Sequence, residues 1–141
     1  ENVNNFRNRV NQFYKSLNLS NQSDLLLPIV DVTIPDLSGL NMNYQNKLKS
    51  LEPFGNGNPE PIIKIDNCQV VNIRIMGSDS QHIKISIKDK KGLTIQLLAF
   101  NAPEYFFVGL GELITVWFQT TVNDWRGNQS IEGRLIHLNK I

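Results

Sequence analysis

The feature that most constrains this chain is the rhythm of residues 62–141. Apolar and polar residues alternate in runs at 62–76, 82–89, 93–101, 113–125 and 128–141, with turn-forming clusters at Gly77-Ser78-Asp79, Lys90-Lys91-Gly92 and Arg126-Gly127-Asn128. A period of two is that of a strand with one buried face, and Gly, Asn and Asp supply the backbone conformations that tight reversals need. One long gap, residues 102–111, separates the third run from the fourth. It has room for a single helical turn starting at Pro103, whose fixed φ suits a first helical position. Five strands with a short helix between the third and fourth is the order of an OB barrel, and about 80 residues is its ordinary size.

Alternation also assigns faces. Ile83, Ile85 and Ile87 point one way, while His82, Lys84, Ser86 and Lys88 point the other. In the fourth run Ile114, Val116, Phe118 and Val122 are expected inside, leaving Thr115, Trp117, Gln119, Asn123 and Trp125 outside. The third run leaves two solutions open, because Ile95, Leu97 and Ala99 compete with Leu98 and Phe100 for the interior.

The first sixty residues read differently. Val3, Phe6, Val10, Phe13, Tyr14 and Leu17 fall at helical spacing, opposite Arg7, Arg9 and Lys15. A polar turn at 18–24 follows, then a half-buried edge strand over 29–35 with Val30, Val32 and Ile34 on one face, ended by Pro35. Asn41 can cap a second helix reaching Leu51, with Met42, Leu48 and Leu51 as buried contacts. Two helices and one strand bury each other's apolar faces poorly, so these elements read as the remainder of a domain whose other strands precede Glu1. Residues 53–61, rich in Pro and Gly, form a connector. The expected organisation is therefore mainly β: an α/β remnant at 1–52, a connector at 53–61 and a five-stranded barrel at 62–141.

A net charge of +1 gives little global pull on a polyanion, so any such site must come from local clustering. The cluster exists: residues 62–91 carry six Lys and Arg against three Asp and Glu, the cations being Lys64, Arg74, Lys84, Lys88, Lys90 and Lys91. Cys68 is the sole cysteine, which excludes an intrachain disulfide and a cysteine-based zinc site. No apolar run is long enough to cross a bilayer, no signal-type leader is visible, and a cytoplasmic location with no membrane partner is expected.

Three segments together resemble RecJ-type single-strand-specific exonucleases. LEPFGNGNPEP, at 51–61, looks like the end of that family's DHHA1 domain; HIKISIKD with the run ending LLAFN, and VNDWRGNQSIEGRLIHL, are similar to its OB domain. The resemblance implies a parent enzyme that degrades single-stranded DNA from its 5′ end with manganese or magnesium, in DNA repair and recombination. It also implies that residues 1–52 end a DHHA1 domain and that the catalytic DHH domain of the same parent is a partner. The Asp-His-His triplet is absent, and His82 and His137 have no carboxylate at ligand spacing. This stretch alone is therefore not expected to cut DNA or hold a cofactor.

DNA contact is expected instead on the outer face of the second barrel strand, through His82, Lys84 and Lys88, with Arg74 and Lys64 beside them. Lysines neutralise phosphate without reading bases. Trp125 and Arg126 occupy one of the loops that border an OB groove, where they can stack on bases or, for Trp125, cover the barrel end. Trp117 and Phe100 are expected to pack, Cys68 to fill the core and His137 to be structural. Pro53, Phe54, Gly55, Gly57 and Pro59 are read as a rigid connector rather than an anion nest. The alternative function is a protein-docking module that receives a partner such as the single-strand-binding protein.

Overall fold

The structure, a computed structural model, describes residues 2–16 and 27–141. Among the described residues eight regular elements follow in order: helix α1 (Asn2–Ser16), strand β1 (Val32–Ile34), helix α2 (Met42–Lys49), then β2 (Ile63–Met76), β3 (His82–Lys88), β4 (Thr94–Ala99), β5 (Leu113–Trp125) and β6 (Asn128–Lys140). The strands are hydrogen-bonded in the order β1-β2-β3-β4-β6-β5, and β5 returns to β2, which closes a five-stranded ring. The β4–β6 pair is parallel and the other ring pairs are antiparallel. The ring order β2-β3-β4-β6-β5, with a single 3-10 turn at Glu104–Phe106 before β5, is the OB arrangement expected from the sequence.

Closure requires one strand to serve two neighbours. β2 does so through an irregularity at Asp66 and Asn67: Ile63–Ile65, Cys68 and Gln69 pair with β5, whereas residues 69–76 pair with β3, so that Gln69 serves both. The register shifts at this irregularity, and Asn67 takes a left-handed φ of 57°, a conformation Asn tolerates better than most residues. β4 resolves in favour of Ile95, Leu97 and Ala99, which are buried opposite Ile87, Ile85 and Ile83. Together with Val70, Ile114, Val116, Phe118 and Leu138 they fill the interior. Cys68 is buried there too; burial, reinforced by the Asp89 and Asp66 charges, pushes its thiol up to about 12.

One inward assignment on β5 needs correction, and three outward ones need a qualification of burial. Val122 is exposed, because beyond Thr120 β5 has left β2 and pairs with β6 alone, as a two-stranded arm extending from the ring. Thr115, Trp117 and Gln119 do project from the ring's outer surface yet are buried, since other groups cover them. Trp117 meets the His137 ring at 5.1 Å and the Lys64 ammonium at 5.4 Å, so its expected packing role holds.

The first segment attaches to this ring. β1 pairs in parallel with the start of β2, Asp31 accepts the Ile62 N–H at 2.8 Å, and Leu37 is buried in the barrel's core cluster. α2 is capped as expected by the Asn41 side chain, which accepts the Tyr44 N–H at 3.1 Å. Leu51, expected to be buried, is exposed, and Tyr44 makes the contact with the core instead. α1 forms, but Val3, Phe6, Val10 and Phe13 are exposed, so its apolar stripe is not buried as the spacing predicts. Leu17 and the turn at 18–24 lie outside the described residues, as does the Tyr14 side chain. In the connector, the Asn58 amide donates to the Leu51 and Pro53 carbonyls at 2.9 and 3.0 Å, and Gly55 pairs with Asn58. Gly57 has a φ of 86°, as the reversal requires.

Candidate nucleic-acid interface

The pleat of β3 places His82, Lys84, Ser86 and Lys88 on the outside of the ring, and pairing aligns them with neighbours. Met76, Arg74 and Asn72 of β2 stand opposite His82, Lys84 and Ser86; Leu98, Gln96 and Thr94 of β4 stand opposite Lys84, Ser86 and Lys88. The result is one continuous wall. Its upper end is the 77–81 turn with Phe100 and His82, and its lower end is the β5–β6 arm.

At the upper end Phe100 is 65% exposed and meets the His82 ring edge-to-face at 5.3 Å. The backbone N–H of Asn101 donates to His82 Nδ1 at 3.1 Å and so fixes that ring. Phe100, expected to pack, thus presents an open aromatic face; the outward parity of β4 carries it there. In the middle, Lys84 donates to Glu132 of β6 at 3.0 Å, and Asn123 donates to the same carboxylate oxygen at 3.1 Å. A groove of about 420 Å³ crosses this part of the wall, lined among others by Ser86, Gln96, Asn123, Ser130 and Glu132. Arg74 and Lys88 have no ion-pair partner among the described residues.

At the lower end the arm reverses through Arg126 and Gly127, both at positive φ (53° and 82°), which matches the twist of a two-residue hairpin. Asp124 braces the turn by accepting from the Gly127 N–H and the Gln129 amide, each at 3.1 Å. Trp125 is 68% exposed and does not cover the barrel end; its only ring contact among the described residues is the Arg126 guanidinium, 5.6 Å from the ring centre.

Lys64 does not join the wall. It sits on the β2–β5 side, 3.0 Å from Asp66 and over Trp117. Burial raises the Asp66 carboxyl, but the bonds from Lys64 and Thr115 outweigh it and leave it below its ordinary value. Lys91 is likewise bound, 2.8 Å from Asp36, whose carboxyl its hydrogen bond holds far below the usual carboxylate range. His137 is engaged by Tyr105 at 3.4 Å and Asn139 at 2.9 Å. A groove of about 530 Å³ lies beyond the arm against α2; Glu52 and Glu60 line it with a single Lys49, a poor setting for a polyanion.

Among the described residues no three His, Cys, Asp or Glu side chains converge as a metal would require. The donor set for manganese or magnesium is thus not assembled by these residues, and no step through a metal is derived from them. No helix among them is long and apolar enough to cross a membrane.

A closed ring in this strand order, with the outer face of its β3–β4 wall turned to solvent, defines an OB-fold domain. The chain belongs to the RecJ OB domain family, whose model matches residues 30–137. It is 25% identical over 108 residues to the single-stranded-DNA-specific exonuclease RecJ of Bacillus subtilis strain 168, covering 75% of this chain and 12% of that protein. Crystal structures of Thermus thermophilus RecJ match it with TM-scores of 0.61 in complex with Mg2+ and 0.60 in complex with Mn2+, at 24% and 25% identity. Each match covers 79% of this chain and 16% of the other.

Proposed function

We propose that the chain holds single-stranded DNA on the β3–β4 wall as the strand-gripping part of a RecJ-type 5′-to-3′ exonuclease. Family membership supports the reading, as does the single-strand specificity named for the B. subtilis relative. The observation that carries it is the pairing, on one wall, of cations without counter-charge, Arg74 and Lys88, with the open Phe100–His82 rings. Cations bind phosphate and rings stack on bases without regard to sequence, which is what a nuclease acting on any strand needs. In this reading residues 1–52 belong to a DHHA1-type domain, residues 53–61 set its angle to the barrel, and a DHH domain of the parent cuts with manganese or magnesium.

The test is titration of fluorescent oligo-dT at several salt concentrations. Replacing Arg74 and Lys88 together with Ala is expected to weaken binding and flatten the log–log salt dependence by about 0.7 for each lost contact. Binding with an unchanged slope would remove both residues from the site.

A further inference from the structure

The central cation of the wall is not available in the way its neighbours are. Lys84 reaches over β4 to Glu132 on β6, with side chains only 26% and 12% exposed. Glu132 is itself held, since Asn123 on the arm donates to the oxygen that Lys84 uses. A phosphate approaching Lys84 must therefore displace a partly buried, pre-formed carboxylate partner and then lie beside that carboxylate's charge. Both costs are absent at Arg74 and Lys88.

The groove that contains the pair is also lined by Ser86, Thr94, Gln96, Asn123 and Ser130. These groups are neutral and carry both donors and acceptors, as base edges do. The middle of the wall is thus electrically balanced and rich in hydrogen-bonding groups, while free positive charge stands beside it on β2 and toward the lower end of β3.

We propose that Glu132 is a specificity-determining residue: by occupying Lys84 it makes the central groove accept bases and refuse phosphate. The strand then lies with its bases turned toward the groove and its phosphates directed to Arg74 and Lys88. This rests on the proposed single-strand binding and adds to it the orientation of the strand. It also gives the domain a means to tell a base-bearing strand from a bare polyanion.

The experiment compares three probes on the intact chain: oligo-dT, an abasic oligodeoxynucleotide of the same length, and inorganic polyphosphate. The wild-type chain is expected to prefer oligo-dT. Glu132→Gln keeps the side-chain shape but frees the Lys84 charge; affinity for the abasic strand and polyphosphate should rise roughly fivefold, and their salt slope should steepen by about 0.7. Lys84→Met in the Glu132→Gln background should cancel both changes, which separates freed charge from a general loosening of the groove. An oligo-dT to abasic ratio unaffected by Glu132→Gln overturns this inference while leaving strand binding intact. Failure of the wild-type chain to bind oligo-dT overturns the binding reading and this inference with it.

Discussion

Phe100 lies beside a histidine ring that the Asn101 amide holds still, so its exposed face is already oriented before any base arrives. A stacked base contributes about 1–3 kcal/mol without sequence preference. Phe100→Ala is therefore expected to weaken oligo-dT binding about tenfold or more while leaving the thermal midpoint nearly unchanged, because the ring buries little on folding. A melting curve recorded beside the titration checks both halves; unchanged affinity would take Phe100 out of the site. The sequence places Phe100 among packing residues for a physical reason. Each face of β4 carries large apolar residues, and alternation cannot choose between Leu97 and Leu98 until β3 supplies Ile83, Ile85 and Ile87 as partners for one of them. Trp125 was hidden in another way: its large apolar area suggests burial, but the arm that carries it has left the ring.

The strands were legible because apolar and polar residues alternate along most of them, and the turns because Gly, Asn and Asp mark them. β5 begins and ends where the pattern predicts. Contacts between distant elements were not legible: Glu132 is 48 residues from Lys84 along the chain, and nothing local to either announces the pair. Gly133 is a similar case. It stands where β6 lies between β4 and β5, paired with Leu97 on one side and Thr120 on the other. A Cβ there would collide with the Leu97 side chain and come within 2.9 Å of Phe118, both fully buried. Neither neighbour has free space to move into, so Gly133→Ala is expected to cost about 1–3 kcal/mol and to loosen ring closure. Urea denaturation measures the cost, and faster amide exchange in β4 and β6 locates it; a neutral substitution would show that the ring end adapts.

For the whole molecule, the decisive group is the Asp89 carboxylate, buried at the β3–β4 turn. One oxygen accepts the Lys91 and Leu93 N–H groups at 2.8 and 2.9 Å, which shapes the turn; the other accepts the Leu37 N–H at 2.8 Å, 52 residues away. The same Leu37 side chain is in the barrel core, Asp36 binds Lys91, and β1 extends the sheet from β2. Residues 31–40 thus share their hydrogen bonds, their apolar contacts and one ion pair with the barrel, and local opening of this segment would have to break all three. Cooperative units are defined by such shared contacts rather than by position along the chain. The Leu37 amide is therefore expected to exchange with solvent deuterium as slowly as the amides of β3, through global unfolding. Asp89→Ala leaves three N–H groups without their acceptor and is expected to cost roughly 2–4 kcal/mol, lowering protection at Leu37 and across β3 together. If Leu37 instead exchanged quickly in the unaltered chain while β3 stayed protected, the segment would be a separate unit resting on the barrel, and the wall's geometry would not depend on it.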